Sequence, residues 1–186
     1  MEPSIAAEKK AIRERMLEHR NNMPRSKRNA LSAIICSKLW ELILEHDFKI
    51  IHSYLPMGSE VNVMPLLQKA LDHGLTVVVP KTLKKRQLQN LILTDLKNME
   101  QGIFNTYHPK DAKEYCGNYD LIIVAGLAFD QRNYRVGYGG GYYDNFLAGQ
   151  ASAMKIGVFF PFQHLEKVPV EAHDVRLDRV ICPDEV

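Results

Sequence analysis

Four glycines are concentrated in the segment Arg135-Val-Gly-Tyr-Gly-Gly-Gly-Tyr-Tyr-Asp144. Glycine adopts positive φ freely and lets backbone N–H groups approach a ligand with no Cβ in the way. A helix is predicted to begin where this segment ends, and the unpaired N–H groups and dipole of a helix N-terminus favour negative charge. The segment therefore predicts an anion site of the phosphate type. The alternative is a turn that only connects two elements.

The glycine spacing fits neither of two common phosphate-binding patterns. The chain has no G-x-x-x-x-G-K-[ST] sequence, which excludes a Walker A loop. Gly137, Gly139 and Tyr142 break the G-x-G-x-x-G register of dinucleotide-binding folds. An anion site in this segment would therefore be neither a Walker A loop nor a dinucleotide fingerprint.

Carboxylates at three places in the sequence could bind a ligand. Asp144 falls in the first turn of the predicted helix, where it could stabilise the helix N-terminus or hold Mg²⁺ together with phosphate oxygens. Glu171-Ala-His-Asp174 is a second acidic cluster, which by itself is typical of a polar turn. Glu60 follows a predicted strand and could be a helix-capping residue or an acceptor for the N–H donors of a heterocycle.

The N-terminal segment is basic. Residues 1–28 contain eight Lys and Arg against four Asp and Glu, which is a net charge of +4. Lys9 and Arg13 are four residues apart and share one helix face, where they could clamp a polyphosphate or simply be solvated. A basic RNA-binding helix over residues 9–28 is a further alternative.

Length and composition restrict the class of protein. The 186 residues fit one domain over residues 1–186, and the 46% hydrophobic and 25% charged residues argue against disorder. The formal charge of +2 is too small to indicate a nucleic-acid partner, and no apolar run approaches the about 20 residues of a membrane span. The three cysteines lack metal-ligand spacing, and no secretory signal is visible, so we expect a cytoplasmic protein with reduced thiols and no membrane partner.

Helical and β patterns alternate along the chain. Helices are predicted over 4–21, from an N-cap at Ser26 to 45, over 62–73 with Gly74 just past the end, and over about 141–147. Strands are predicted over 49–55, 75–79 with Pro80 closing the strand, 88–94, 121–124, 155–160 and 179–182. The alternation predicts an α/β fold with parallel strands, and ligands of such sheets bind at the carboxyl ends of the strands.

Six segments in this order resemble the 5-formyltetrahydrofolate cyclo-ligase family, also called 5,10-methenyltetrahydrofolate synthetases. They are Lys9-Lys-Ala-Ile-Arg13, Ser53-Tyr-Leu-Pro-Met-Gly-Ser-Glu60, Val79-Pro-Lys81, Gly126-Leu-Ala-Phe-Asp130, the glycine segment and Pro169-Val-Glu-Ala-His-Asp174. The resemblance implies a single-domain, Rossmann-like layered sheet similar to the ribose-5-phosphate isomerase and CoA transferase type. It also implies that ATP, with Mg²⁺, drives cyclisation of 5-formyltetrahydrofolate to 5,10-methenyltetrahydrofolate in a monomer. A folate- or nucleotide-binding module without catalysis is the alternative.

The resemblance also implies the site residues. The ATP-binding residues would be Lys9, Lys10, Ala11, Ile12, Arg13, Arg135, Val136, Gly137, Tyr138, Gly139, Gly140, Gly141, Tyr142 and Tyr143. Leu55, Glu60 and the loop from Tyr138 through Gly139, Gly140 and Gly141 to Tyr142 would bind the folate, and Lys81 could reach its carboxylate tail. Asp144 and Asp174 would hold Mg²⁺.

The chain also departs from the family pattern. Tyr138 and Gly140 stand where some members have basic residues, and the segment 131–134 lacks the family's glycine. Neutralisation of phosphate charge is therefore expected to depend on Arg135, the N-terminal cations and Mg²⁺.

Overall fold

The computed structural model describes residues 4–184, which form four helices and ten strands. In chain order these are α1 (Ile5–Asn22), α2 (Arg25–Glu45), β1 (Ile50–Ser53), α3 (Met64–Asp72), β2 (Thr76–Thr82), β3 (Leu88–Leu93), β4 (Met99–Gln101), β5 (Tyr107–Pro109), β6 (Leu121–Val124), β7 (Ala128–Phe129), β8 (Arg135–Val136), α4 (Tyr142–Ala148), β9 (Met154–Val158) and β10 (Arg179–Ile181). Short 3-10 turns cover Ile103–Asn105 and Pro161–Gln163.

A six-stranded sheet in the order β10-β9-β6-β1-β2-β3 forms the centre of the fold. Five strands are parallel, and β3 alone runs antiparallel, beside β2. The mixed α/β prediction is confirmed, but the prediction of parallel strands throughout is wrong for β3. The turn between β2 and β3 is only five residues long, and so short a connection can join only antiparallel neighbours.

Pro80 does not close its strand as predicted, because β2 continues to Thr82. Pro80 lies opposite Asn90 of β3, and the Asn90 carbonyl accepts its hydrogen bond from the Tyr115 N–H, at 2.8 Å. The pairing of β2 with β1 has already ended at Val78. Since no neighbouring strand requires an N–H donor at position 80, the sheet accommodates a proline there.

The helices begin and end near the predicted positions. The Ser4 hydroxyl accepts the Ala7 N–H, and α1 ends just before Pro24. Pro24 itself is the N-cap of α2, so the predicted cap at Ser26 is wrong. Gly74 follows α3 with a φ of 75°, which confirms its predicted role just past that helix. Within residues 4–184, no helix is both long and apolar enough to cross a membrane.

Apolar packing fixes the sheet against its helices and brings α1 to the site. Leu39 of α2 and Leu67 of α3 pack with Ile123 and other sheet residues in the main core. A smaller cluster, which includes Met16 of α1 and Val136 of β8, joins α1 to the short β7–β8 hairpin. The second strand of that hairpin is the start of the glycine segment, so α1 lies beside this segment.

Candidate active site

Three segments that leave the carboxyl edge of the parallel sheet form the candidate site. Residues 54–60 follow β1, residues 125–141 follow β6, and residues 159–178 connect β9 to β10. They carry the buried Glu60, the glycine segment and the acidic cluster near Asp174. This is the edge where ligands of open α/β sheets bind.

The glycine loop, residues 137–141, connects β8 to α4. Gly139 has a φ of 94° and Gly141 a φ of 71°, a region of backbone conformation that favours glycine. Tyr142, the first residue after the loop, is tied to the turn between β2 and β3, because its hydroxyl donates to the Leu83 carbonyl at 2.9 Å.

Tyr138 connects this loop to Glu60. Its hydroxyl donates to Oε1 of Glu60 at 2.6 Å and receives a hydrogen bond from Nη2 of Arg20 at 2.5 Å. Nε of Arg20 donates to the Ser59 hydroxyl at 3.0 Å. Arg20 is 4% exposed and Glu60 is 7% exposed, so the network holds a buried charge of each sign.

Glu60 closes the turn before α3 but does not cap that helix, whose N-cap is Val63. Its Oε2 accepts the Met57 N–H at 2.7 Å, and its own N–H donates to the Met57 carbonyl. Burial raises the pKa of Glu60, and the hydrogen bonds from Tyr138 and Met57 together with the charge of Arg20 offset only part of that effect. The sequence left open whether Glu60 caps a helix or accepts N–H donors of a heterocycle. Since Val63 is the N-cap of α3, helix capping is wrong.

One face of α1 supplies cations to the site. Lys9, Arg13 and Arg20 lie on the face that contacts the glycine loop and its neighbours, and Nε of Arg13 donates to the Gly137 carbonyl at 2.8 Å. Lys10 is on the opposite side, with a side chain 75% exposed and 3.9 Å from Glu14. Among the predicted ATP-binding residues of α1, the structure brings Arg13 to the loop and Lys9 to the carboxylates of Glu171 and Asp174. Lys10 and Ala11 are exposed, and Ile12 packs in the apolar cluster.

The two predicted metal ligands are each held by a cation and a backbone N–H. Oδ1 of Asp144 accepts from Arg135 at 3.2 Å and from the Val175 N–H at 3.2 Å. Oδ2 of Asp174 accepts from Lys9 at 2.6 Å and from the Glu171 N–H at 2.7 Å. The structure groups Asp174 with Glu171 and His173, whose ligand atoms lie within 4.8 Å of one another, and Asp144 is not part of that group.

Lys9 compensates the charge of the acidic cluster. Its Nζ is 2.8 Å from Glu171 and 2.6 Å from Asp174. Burial alone would lower the pKa of Lys9, but the hydrogen bonds and charges of these carboxylates outweigh it and raise that pKa above its ordinary value.

A cavity of about 350 Å³ opens next to Glu60. Leu55, predicted to bind folate, lies in its wall beside Met64 of α3, and the β4–β5 ribbon contributes Met99 and Tyr107. Arg25 and Arg28, near the start of α2, line it as well.

Sequence reasoning missed two cations that the fold brings to the loop. Arg20 lies eleven residues after Lys9, about three helical turns, and this spacing was the available signal. Arg86 lies beside the loop, where a Cβ on Gly141 would be 3.5 Å from its Cδ, and no sequence signal marked it. Arg13 and Arg86 thus provide charge from outside a loop that has no basic residue.

The turn over residues 131–134 forms without the glycine of the family pattern, because an asparagine takes the positive φ. Asn133 has a φ of 64°, a conformation that asparagine adopts more readily than most other L-residues. Asp130 fixes this turn by accepting from the Arg132 N–H and side chain and from the Val168 N–H.

The sequence profile of the 5-formyltetrahydrofolate cyclo-ligase family matches residues 5–183. The chain belongs to this family. It is 28% identical to the 5-formyltetrahydrofolate cyclo-ligase of Mycolicibacterium smegmatis, over 94% of this chain and 93% of that protein. It is also 28% identical to the enzyme of the same name from Escherichia coli, over 72% of this chain and 77% of that protein.

A solved structure supports the same assignment. The NMR structure of Aquifex aeolicus 5,10-methenyltetrahydrofolate synthetase superimposes with a TM-score of 0.82 and 28% identity, covering 95% of this chain and 90% of that one. The cyclo-ligase family recognised from the six sequence segments is therefore confirmed.

Proposed function

We propose that this cyclo-ligase family member converts 5-formyltetrahydrofolate and ATP to 5,10-methenyltetrahydrofolate, ADP and phosphate. The observation that carries the proposal is the position of the glycine loop between two different binding surfaces. Through Gly137 the loop contacts the cationic face of α1, and through Tyr138 it contacts the buried Glu60 beside the cavity. A loop so placed can present a phosphoryl donor to an acceptor bound in the cavity.

The proposed reaction needs activation of the formyl group, because a formyl amide is a poor electrophile. The formyl oxygen attacks the γ-phosphorus of ATP, the bond from that phosphorus to the bridging oxygen breaks, and ADP leaves. N10 of the substrate then attacks the formyl carbon and loses its proton. The carbon–oxygen bond breaks with its electron pair going to phosphate, which leaves the methenyl bridge between N5 and N10.

For such a transfer the protein mainly aligns the reactants and balances charge. Arg135 supports the ATP assignment, because its buried Nε has no hydrogen-bond partner within residues 4–184. A buried, unpartnered guanidinium N–H is costly, and a phosphate oxygen would satisfy it. Arg13 and the N–H groups of residues 137–141 would contact the same phosphates, and Lys9 would offset the carboxylate charge of Glu171 and Asp174 next to them.

Glu60 would bind the heterocycle of the substrate. Each of its carboxylate oxygens accepts one hydrogen bond from the protein and keeps capacity for another. The N–H donors of a pterin ring match that capacity. In this arrangement Tyr138 holds the carboxylate in place, Leu55 packs against the substrate, and Tyr142 fixes the loop.

The proposed Mg²⁺ site fits the donor atoms present. Oδ1 of Asp144 and Oδ2 of Asp174 are anchored as described, whereas the other carboxylate oxygen of each makes no hydrogen bond within the described chain. Two anchored carboxylates with free oxygens suit Mg²⁺, which binds one or two carboxylates together with phosphate oxygens and waters. When bound with ATP, Mg²⁺ would neutralise phosphate charge.

The test measures the absorbance of methenyltetrahydrofolate and the amount of ADP released in the same reaction. Purified protein with ATP, Mg²⁺ and 5-formyltetrahydrofolate is expected to give methenyltetrahydrofolate and ADP in equal amounts. Asp144→Asn keeps the acceptor for Arg135 and removes the charge, so we expect at least a tenfold loss of kcat/KM and a weaker response to Mg²⁺. Asp72→Asn on the exposed end of α3 is the matched control and should retain activity. Ligand binding by calorimetry without ADP release would favour the non-catalytic module instead.

We also propose that residues 1–186 act as one domain, as a monomer, in the cytoplasm, and that the sheet is similar to those of ribose-5-phosphate isomerases and CoA transferases. Support for one domain comes from α1, which packs on the β7–β8 hairpin that follows the central strand β6. Light scattering coupled to size-exclusion chromatography tests the monomer, since a mass near 43 kDa, about twice the chain mass of 21.3 kDa, would contradict it.

A further inference from the structure

The cavity beside Glu60 has two chemically different parts. Leu55, Met64, Met99 and Tyr107 give it an apolar wall, whereas Arg25 and Arg28 from the first turn of α2 give it a cationic wall. A ligand that fills it should have an aromatic body and an anionic end.

The cationic wall has no anionic partner among the residues that the structure describes. Within residues 4–184, no carboxylate lies within 4.0 Å of the guanidinium group of Arg25 or of Arg28. Arg28 makes one long hydrogen bond, from Nη1 to the Arg20 carbonyl at 3.5 Å, and that bond leaves its other donors available. The acidic residue that lines the cavity, Glu60, is already bound by Tyr138 and Met57.

We propose that Arg25 and Arg28 bind the carboxylate groups of the substrate's glutamyl tail. The inference rests on the proposed function, because the substrate is taken to be a reduced folate with its heterocycle at Glu60. A p-aminobenzoyl group would then pass the apolar wall, and the glutamate that follows would reach the arginines. A guanidinium binds a carboxylate through two parallel hydrogen bonds, so arginine suits this end of the ligand.

Lys81, the residue that sequence reasoning associated with the tail, is less suited. Its Nζ is 3.9 Å from Glu100, which also accepts from His108 at 2.8 Å, and Lys81 does not line the cavity. The cations of α1 and α2 thus serve different places: Arg13 contacts the glycine loop, whereas Arg25 and Arg28 line the cavity.

Two substrates separate tail recognition from catalysis. One is 5-formyltetrahydrofolate, and the other is the carboxamide of 5-formyltetrahydropteroic acid, which has the same reacting atoms and neither the glutamate nor a free carboxylate. For the unaltered protein we expect the truncated substrate to have a KM about ten- to a hundredfold higher, as the loss of charge-assisted hydrogen bonds implies. The Arg25→Gln/Arg28→Gln double variant should raise the KM of the full substrate by a similar factor. It should leave the KM values of the truncated substrate and of ATP unchanged.

Lys27→Gln is the matched control. Lys27 belongs to the same helical turn and carries the same charge, but it lies on the groove formed with Pro161 and Phe162 rather than on the cavity. It should change none of the three KM values. An equal effect of Lys27→Gln and the double variant would mean that net surface charge is responsible, and the proposal would be overturned.

Two other outcomes would also overturn the proposal. One is a double variant that weakens both folates equally, and the other is a double variant that raises only the KM of ATP, which would assign the arginines to phosphate. Calorimetric binding of the two folates without ATP keeps this test separate from the reaction. If the unaltered protein turned over neither substrate, the proposed function would fail, while a binding preference for the full substrate that the double variant loses would still support tail recognition.

Discussion

The Tyr138 hydroxyl donates a hydrogen bond to Oε1 of Glu60 across 2.6 Å, joining the glycine loop to the turn that follows β1. The same hydroxyl receives a hydrogen bond from the buried Arg20. One tyrosine oxygen therefore couples the position of the loop to the orientation of the carboxylate. A change at any of these three residues should affect binding in the cavity more than binding of ATP.

Tyr138→Phe tests this connection. Loss of the hydroxyl leaves Glu60 and Arg20 each short of a buried hydrogen bond, which we expect to cost about 1–3 kcal/mol in the free energy of unfolding. The KM for 5-formyltetrahydrofolate should rise about tenfold, with a much smaller change for ATP. Urea denaturation and steady-state kinetics measure the two effects. Tyr134→Phe is the control, because the Tyr134 hydroxyl has no hydrogen bond within residues 4–184, and an equal effect there would contradict the role of Tyr138.

Glu60→Gln should change the pH dependence of both stability and binding. The pKa of Glu60 is higher in the folded protein than its value of about 4.3 in an unfolded chain, so the folded state retains this proton over a range where the unfolded state has lost it. Stability contributed by Glu60 therefore falls as the pH rises from the unfolded pKa through the folded one.

The binding effect has the opposite sign. The ionised carboxylate is the form that accepts N–H donors at both oxygens, so kcat/KM for the folate should rise with pH through the raised pKa of Glu60. In Glu60→Gln this acid limb should be absent, and the fall in stability with pH that Glu60 causes should be absent as well. An unchanged acid limb in the variant would show that another group is responsible.

Lys9→Met should destabilise the protein at neutral pH. It leaves Asp174, whose side chain is 9% exposed, next to Glu171 with no cation between them. Removing one partner of a fully buried pair costs about 3–5 kcal/mol, and because Glu171 is partly exposed we expect about 1–3 kcal/mol here. The exposed Lys10, 3.9 Å from Glu14, provides the control, and Lys10→Met should cost less than about 0.5 kcal/mol.

The pH dependence of the Lys9 contribution follows from its raised pKa. A lysine whose pKa is higher in the folded state contributes stability that is fully present below the unfolded value of about 10.4 and is lost as the pH rises through the folded value. The difference between the unaltered protein and Lys9→Met should therefore shrink in strongly alkaline solution. A difference that stays constant from neutral to alkaline pH would argue against the ion pair as its source.

The sequence predicted the elements with a strong local pattern. The strand Leu121–Val124, the helix before Gly74 and the glycine loop before α4 are all found close to their expected positions. The β7–β8 hairpin was missed because strands of two residues, Ala128–Phe129 and Arg135–Val136, are too short to show periodicity.

A residue of the candidate site could be predicted only where it stands inside a recognisable segment. Glu60, Asp144 and Asp174 met that condition. Arg20 and Arg86 did not, because each reaches the site through packing between parts of the chain far apart in sequence. Arg20 donates to Tyr138, 118 residues away, and Arg86 faces Gly141 from the turn between β2 and β3.

Gly139→Ala tests whether the loop needs glycine for its shape. Gly139 has a φ of 94°, which an L-residue rarely adopts, and an added Cβ would be 3.1 Å from Cζ of Arg13. We expect a cost of about 1–3 kcal/mol at this position and a rise in the KM for ATP, since the N–H groups and Arg13 would both shift. Gly149→Ala is the control, because Gly149 has a φ of −88° and an added Cβ would meet its nearest atom at 3.7 Å. If both variants bound ATP as the unaltered protein does, the loop would be only a connection between β8 and α4, and the phosphates would have to bind elsewhere.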